Sequence, residues 1–490
     1  MRASLAALAL QVLGCSVSAS TVSYGPSNLK PPALTREFRA VWVASVGNIN
    51  WPSKAGLSTA EQKAELVGIF NKAAELRLNA VLLQVRPSCD ALYVSSYEPW
   101  SEYLTGRMGQ APQPFYDPLA FAVEEAHKRG MELHAWFNPF RARYSKALST
   151  VASSHISKTQ PSLVKTYGKH LWLDPGEPAV REHSLKVILD VVRRYDIDGV
   201  HLDDYFYPYP EGSMDFPDSA SWKKYRASSG RLDRADWRRE NVNRFIEQLY
   251  ARVKQEKAHV KVGVSPFGIW RQGVPAPVRG FDAYDRLYAD SRKWLVEGWV
   301  DYFSPQLYWS INAPEQSFTT LLHWWAGQNP KQRHVWPGIS VHGPDGKRTA
   351  GEVANQVMAE RREAGTDGIA FWGMRALFEN RNGVGNLLRS SVYTDLAVVP
   401  ASPWLDRTPP APPSMSVTLN PLKVSVSNAA TERAWLWALQ VKRANGWKLQ
   451  ILPGRFGGFA FDAADEPEAI AVRAIDRCGN ESARSVQTVK

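Results

Sequence analysis

Residues 197–208 read Ile-Asp-Gly-Val-His-Leu-Asp-Asp-Tyr-Phe-Tyr-Pro. The apolar run that begins at Ile197 is typical of a strand buried on both faces of a parallel sheet. It ends abruptly at two carboxylates, Asp203 and Asp204, which aromatic side chains follow. In a barrel of parallel strands, the functional site lies where the strands end. The stretch therefore predicts a barrel strand with two acidic groups at its mouth.

Eight such runs alternate with helix patterns along the chain. Ser58 and Glu61 form a capping box at the start of one helix, and Asp117-Pro118 starts another. A doubly wound open sheet is the alternative, but no Gly-rich phosphate turn follows the first strand. We therefore predict an α/β fold, a (β/α)8 TIM barrel. Its strands are expected at 38–45, 80–86, 132–138, 199–203, 260–265, 302–307, 335–341 and 368–372.

The C-terminal part of the chain has a different composition. Residues 399–413 contain six prolines, which is typical of a semi-rigid extended linker. Residues 414–490 alternate apolar and polar side chains in short runs, so we predict a small all-β sandwich. Within it, residues 471–482 resemble the last-strand region of a fibronectin type III module. The barrel is accordingly assigned to residues 36–398.

Residues 1–14 combine an early positive charge with a short apolar run, which predicts a signal peptide. Val12-Leu13-Gly14-Cys15 resembles a bacterial lipobox, in which Cys15 would carry the lipid; cleavage near residues 17–20 is the alternative. Residues 15–35 would then be an N-terminal tether. This predicts an exported lipoprotein on the periplasmic side of the outer membrane, held to the membrane only by its lipid. A soluble periplasmic protein is the alternative location.

The chain has 490 residues and a formal net charge of +11. Such a charge attracts polyanions, but the basic residues are scattered over helix-like stretches. No nucleic-acid-binding motif is present, so no nucleic-acid partner is expected.

Hydrolysis of a glycosidic bond usually requires two carboxyl groups, one protonated and one ionised. Because side chains alternate along a strand, we expect only one of the adjacent aspartates to face the barrel axis. Asp203 is the predicted inward residue and the nucleophile or stabiliser. Asp204, at the loop junction, is the candidate acid/base. Other candidates for the second carboxyl group are Asp90, Glu211, Asp345 and Glu379.

Polar and aromatic side chains follow the predicted strands in the manner of a sugar-binding cleft. The candidate substrate-binding residues are Arg86, Asp90, Tyr93, Asn138, His201, Tyr205, Tyr207, Gln306, Tyr308, Trp309 and Trp372. His134 and His201 lie inside apolar strands and are interpreted as packed core histidines. With Asp203 they could instead form a metal site, which would predict a metal-dependent deacetylase. We expect no metal and no cofactor.

Seven ordered motifs resemble the glycosyl-hydrolase-like ten family, over residues 36–389. The resemblance implies a TIM-barrel glycosidase that acts on peptidoglycan glycan strands, particularly strands without stem peptides, and possible cell-division or cell-wall partners. The motif at 198–203 also resembles the fourth-strand motif of the α-amylase clan, which implies that Asp203 is the nucleophile. His201 departs from that clan's arginine, and no Glu follows the fifth strand. The motifs begin at Arg39, Gln84, Tyr116, Trp136, Leu173, Asp198 and Ser304.

The sequence thus predicts an exported glycoside hydrolase that cleaves peptidoglycan glycan strands. Two alternatives remain, a non-catalytic glycan-binding lipoprotein of the cell wall and a hydrolase of another polysaccharide.

Overall fold

The computed structural model describes residues 23–419, 422–428, 434–461 and 467–490. The predicted signal peptide and Cys15 lie outside these residues. Among the helices described, none has the length and hydropathy needed to cross a membrane.

Nine parallel strand segments in the described residues form one curled sheet, and they make up the eight strands of the predicted barrel. The seventh strand, β7, is in two segments because Pro337 interrupts it and has no N–H to donate. Its first segment pairs with β6 and its second with β8, and a bridge from Gln306 to Gly338 joins the two sides. The sheet therefore closes into a barrel, as predicted. The strands are β1 (Phe38–Val43), β2 (Ala80–Arg86), β3 (Glu132–Phe137), β4 (Gly199–Leu202), β5 (Lys261–Val264), β6 (Tyr302–Phe303), β7 (His334–Val335 and Gly338–Ser340) and β8 (Gly368–Trp372).

The barrel has two cores because side chains alternate along each strand. On β1, Val41 and Val43 point outward and pack beneath the helices. Phe38, Ala40 and Trp42 point inward and meet the inward residues of the other strands. Large aromatic rings fill much of this interior, including its layer at the C-terminal ends of the strands.

Helices surround the barrel. The predicted capping box is confirmed, since Ser58 and Glu61 each accept from the other's backbone N–H. After β8 the chain forms two short helices, Met374–Phe378 and Val384–Leu387, which are separated because Asn380 and Asn382 have positive φ angles. The longer helices are Thr59–Glu75, Pro118–Lys128, Pro178–Arg194, Ser219–Ala227, Arg234–Glu256, Ser291–Glu297, Phe318–Ala326 and Ala350–Glu360, and the shorter ones are Glu102–Thr105, Ile156–Thr159, Ala283–Arg286, Met374–Phe378 and Val384–Leu387.

The loop after β3 carries a small antiparallel sheet of its own, formed by Arg141–Arg143, Val164–Tyr167 and His170–Leu173. Trp172 of this sheet donates to the backbone of Phe206, 2.9 Å away. The sheet is thereby fixed to the segment that follows β4, at the C-terminal end of the barrel.

The C-terminal module consists of two antiparallel sheets that share a core around Val424, Leu439 and Val472. The predicted tether contributes to it, since Tyr24–Pro26 pairs with the last strand of the chain. This pairing has no signal in the sequence, because a three-residue strand shows no alternation and its partner is more than 400 residues away. One sheet consists of the strands Tyr24–Pro26, Ser485–Val489, Ala469–Ile475, Leu436–Arg443 and Gly446–Pro453. The other consists of Ser414–Thr418, Lys423–Ser427 and Gly458–Ala460.

The module packs against the N-terminal end of the barrel. Its Arg477 lies 2.8 Å from Asp196 and 3.3 Å from Asp198, which precedes β4. The same guanidinium lies over the ring of Trp435, 4.2 Å from its centroid. His127 donates from Nε2 to the carboxylate of Asp198, 2.8 Å away. The ion pair with Asp198 thus joins the module to the N-terminal end of the barrel, opposite the C-terminal ends of the strands.

Replacing Arg477 by Met is expected to lower the free energy of unfolding by about 2 kcal/mol, because buried Asp198 loses a charged partner. Chemical denaturation would measure the change. Lys442→Met is the matched control, since the Lys442–Glu468 pair of the same module is largely exposed and should contribute less than about 1 kcal/mol. Equal effects of the two substitutions would show that the Asp198 contact does not hold the module in place.

Candidate active site

Asp203 and Asp204 both line one cavity of about 300 Å³ at the C-terminal end of the barrel. Strand β4 ends at Leu202, so the strict alternation of side chains stops before the two aspartates. We expected only one of the two aspartates to face the barrel axis, which would require a strand that continues through both. In the structure the strand ends before them, and both side chains reach the cavity. Each aspartate is only 6% exposed.

Three N–H groups hold the carboxylate of Asp203. The Trp136 indole donates to its Oδ2 over 3.1 Å and the Asn138 amide over 2.6 Å, while the backbone of Tyr205 donates to Oδ1 over 3.1 Å. N–H donors stabilise the charged form of a carboxyl group. Asp203 is therefore held in one orientation and is well suited to carry a negative charge.

Asn138 is itself oriented by a fixed chain of hydrogen bonds. Its Oδ1 accepts from the Gln84 amide over 2.6 Å and from Arg141 over 2.8 Å. The Gln84 Oε1 in turn accepts from the backbone of Ser45 and Val46. Because every other partner is determined, the amide nitrogen of Asn138 is the group that faces Asp203.

Asp204 has a different environment. The Tyr209 hydroxyl donates to its Oδ2, and the Gln306 amide also favours its charged form. Arg141 lies nearby with its guanidinium over the ring of Tyr205. Asp204 thus accepts fewer hydrogen bonds than Asp203, and its partners likewise favour its charged form.

The two carboxyl groups titrate together. Burial, and next the charge of Asp204, raise the pKa of Asp203 to about 7. Burial also raises the pKa of Asp204. Because like charges in one dry site repel, the pair retains a single proton up to about pH 7. An acid and a base are thus present together near neutral pH.

Aromatic rings form most of the remaining wall of the cavity. Tyr205, Tyr308 and Trp372 are among the predicted binding residues, whereas Trp42 and Trp136, which lie inside strands, are not. An inward position in the last layer of a strand is the signal that could have identified both. The residues that line the cavity with the two aspartates are Trp42, Ala44, Val46, Ile49, Gln84, Trp136, Arg141, Tyr144, Tyr205, Tyr209, Ser265, Phe267, Gln306, Tyr308 and Trp372.

Three of the candidate binding residues cluster below the cavity and do not line it. Arg86 is fully buried and pairs with Glu98 at 2.5 Å, and it donates to the backbone of Asn138. Asp90 accepts from the backbone of Ser88, and burial raises its pKa to about 6. Tyr93 packs edge-on against Tyr195. Arg86 therefore supports the segment that carries Asn138, while Asp90 and Tyr93 are buried in the loop that follows β2.

Tyr207 and Trp309 also lie outside the cavity. Tyr207 is buried against Phe216 and Tyr288. Trp309 packs on Phe267 and lines a separate surface depression.

His201 lies in the barrel interior, within a chain of hydrogen bonds. Trp42 donates to its Nε2 over 2.9 Å, so its proton is on Nδ1, which contacts the Tyr302 hydroxyl at 2.9 Å. That hydroxyl then donates to His134 Nδ1, and His134 Nε2 reaches Glu132. Every ring nitrogen of the two histidines has a partner, as expected for packed core histidines. In the described residues, no group of three His, Cys, Asp or Glu is arranged to hold a metal ion.

The other candidates for the second carboxyl group do not reach the cavity. Glu211 lies 3.9 Å from His170, and Glu379 pairs with Arg381 on the surface. Asp345 is exposed beside the depression that Trp309 lines. Among the residues described, Asp203 and Asp204 are the carboxylates that line the cavity.

A closed (β/α)8 barrel with two carboxylates in an aromatic cavity at its strand ends defines a protein of the glycoside-hydrolase type. Comparison with known proteins specifies the family. Residues 37–343 match the model of the glycosyl hydrolase-like 10 family, and the chain belongs to this family.

Curated relatives agree with the assignment. The chain is 38% identical to glycosyl hydrolase YngK of Bacillus subtilis over 483 residues, which cover 93% of this chain and 94% of the relative. It is 35% identical to glycosyl hydrolase DigH of Escherichia coli K12 over 364 residues, which cover 69% of this chain and 82% of the relative.

Solved structures with a similar barrel include the glycoside hydrolase domain of PgaB from Bordetella bronchiseptica. That domain is 15% identical with a TM-score of 0.47, and the match covers 72% of this chain and 98% of the domain. The catalytic domain of a β-amylase from Paenibacillus polymyxa gives the same TM-score at 13% identity, over 74% of this chain and 99% of that domain.

Proposed function

We propose that this protein cleaves O-glycosidic bonds in the glycan strands of peptidoglycan, preferably strands without stem peptides, with Asp203 and Asp204 as its catalytic carboxyl groups. The observation that carries the proposal is the pair itself, two buried carboxyl groups that share one aromatic cavity.

The environments of the two aspartates support different roles. Asp203, with three N–H donors, carries the negative charge and serves as nucleophile or stabiliser of the positive charge on the sugar. Asp204 delivers to the leaving oxygen the proton that the pair shares. The rings around the pair provide flat apolar surface for sugar faces and exclude water.

Peptidoglycan is proposed as the substrate for two reasons, the seven motifs that resemble the glycosyl-hydrolase-like ten family and the net charge of the chain. The net charge of +11 favours a polymer that carries carboxylates. Removal of the stem peptide exposes such a group on every second sugar.

The proposal is tested by incubating the chain from Ser16 onward with peptide-free and intact peptidoglycan and analysing the products by mass spectrometry. New reducing ends from the peptide-free polymer are expected. Cleavage of a different polysaccharide alone would assign the enzyme to another substrate. If nothing is cleaved although the protein sediments with the wall polymer, a glycan-binding protein without turnover would be the better description.

The pH dependence of kcat/KM should report the titration of the proton that Asp203 and Asp204 share. We expect kcat/KM to fall as pH rises through about 7, because the coupled pair then loses the one proton that it shares and no general acid is left. Tyr209 stabilises the charged form of Asp204, so Tyr209→Phe should move this alkaline limb to higher pH. Tyr144→Phe, which alters another hydroxyl of the cavity, should leave the limb in place. A limb that does not move in Tyr209→Phe would contradict the role of Asp204 as the general acid.

We also propose export and attachment to the outer membrane through a lipid on Cys15. The apolar leader and the motif at residues 12–15 support this location. Metabolic labelling with a fatty acid should mark the native chain and not the Cys15→Ser variant. An unlabelled native chain would instead indicate a soluble exported protein.

A further inference from the structure

A second cavity, of about 340 Å³, lies where three helices of the outer ring meet. Its walls come from the start of the helix Pro178–Arg194, the helix Ser219–Ala227 and the first turns of Arg234–Glu256. None of its lining residues also lines the cavity that contains Asp203 and Asp204. It is therefore a separate site.

The distinctive group of this cavity is Arg181, whose exposed fraction is 9%. Its Nη1 donates to the backbone oxygen of Pro175 over 2.7 Å and to the Asn241 amide oxygen over 2.8 Å. Both acceptors are neutral, and Arg181 forms no ion pair with any residue that the structure describes. Arg238, a similarly buried arginine on the neighbouring helix, instead faces Asp218 at 2.7 Å. A buried cation without a counter-charge is unfavourable, and an anion that enters the cavity would compensate it.

The other charges around the cavity neutralise one another. Lys224 pairs with Glu177 at 2.8 Å, and Arg244 pairs with Glu240 at 3.0 Å. One positive charge, that of Arg181, is left over. Burial, and next the charge of Arg244, lower the pKa of Arg181; the carboxylates of Asp174 and Glu177 oppose this shift, but neither forms an ion pair with Arg181.

Aromatic rings complete the cavity. Tyr225 and Trp237 both line it, with their ring centroids 5.9 Å apart and their planes 30° from parallel. Such rings pack against the apolar face of a sugar. A free carboxylate would use Arg181 alone, whereas a sugar that carries a carboxylate uses Arg181 and the rings.

We propose that this cavity binds a carboxylate-bearing sugar, with the carboxylate on Arg181 and the ring against Tyr225 and Trp237. The identity of the sugar rests on the proposed function, which offers the muramic acid of peptidoglycan. Its lactyl group ends in a free carboxylate only where the stem peptide has been removed, since the peptide converts that carboxylate into a neutral amide. The cavity thereby selects peptide-free strands.

Binding of N-acetylmuramic acid and of its methyl ester to the full exported chain, measured by titration calorimetry, tests the proposal. The acid should bind about tenfold more tightly than the ester, because the ester cannot pair with Arg181. Arg181→Gln should remove this difference, while Arg252→Gln, at a paired arginine of the helix Arg234–Glu256 that does not line the cavity, should retain it. Equal affinities for acid and ester, or an unchanged preference in Arg181→Gln, would overturn the proposal.

Two features make the experiment decisive. The comparison of acid with ester needs no variant, and if Arg181→Gln does not fold, the half-buried Tyr225 can be replaced by Ala, which should weaken binding of both sugars. A preference for the acid without any cleavage of peptidoglycan would refute the proposed function alone. Cleavage without a preference for the acid would refute this site alone.

Discussion

Replacement of Asp203 by Asn is expected to lower kcat on the glycan substrate by about 10³-fold or more. Asn has the same shape, so its oxygen can take the place of Oδ2 and accept from the Trp136 indole and the Asn138 amide, at the loss of the hydrogen bond from the Tyr205 backbone. What it lacks is the negative charge that acts as nucleophile or stabilises the positive charge on the sugar in the transition state. The loss should therefore appear in kcat, with KM changed by only a few-fold.

Initial rates of reducing-end formation would measure this effect, and denaturation curves would verify that the variant is folded. Glu211→Gln is the matched control, since it neutralises an exposed carboxylate that follows the same strand and does not line the cavity. It should retain activity within about twofold of the unaltered protein. An Asp203→Asn protein with near-normal kcat would remove Asp203 from the chemistry.

Replacement of Arg86 by Met should be the most destabilising single change outside the hydrophobic core, at about 3–5 kcal/mol. Arg86 and Glu98 are both fully buried and lie 2.5 Å apart. Burial alone would raise the pKa of Glu98, but the charge of Arg86 and the hydrogen bonds from His183 and Arg86 lower it to about 2. Without Arg86, a buried carboxylate would lose its strongest partner.

The effect of Arg86→Met should depend on pH in a defined direction. In the unaltered protein the contribution of Glu98 is present above its unfolded pKa of about 4.5 and is lost as pH falls through about 2. In the variant, Glu98 can relieve its burial by taking up a proton. The difference in unfolding free energy should therefore shrink as pH falls from 7 toward 4.

Chemical denaturation at several pH values tests this prediction. Arg193→Met is the control, because the Arg193–Glu256 pair is substantially exposed and should contribute at most about 1 kcal/mol. The double variant Arg86→Met with Glu98→Gln should recover part of the loss, since no buried charge remains. If Arg86→Met lowers the free energy of unfolding no more than Arg193→Met does, the buried pair of Arg86 and Glu98 does not stabilise the segment that carries Asn138.

The sequence by itself determined the barrel and the position of the aspartate pair. Short apolar runs indicate strands buried on both faces, and the run that ends at Leu202 places Asp203 and Asp204 at the mouth of the barrel. The apolar runs and the position of the two aspartates after one of them are local properties of the chain, so the sequence alone is enough to predict them. The same holds for the capping box at Ser58.

The tertiary structure decided which other residues surround the aspartates. Trp136 and Gln84 reach the site because pairing in the sheet brings β2, β3 and β4 side by side, whereas Arg86 and Tyr93 are buried and do not line the cavity. Alternation in sequence shows that a residue faces inward but not in which layer of the barrel it lies. The pairing of Tyr24–Pro26 with the last strand, and the missing counter-ion of Arg181, likewise depend on neighbours far apart in the chain, which packing brings together.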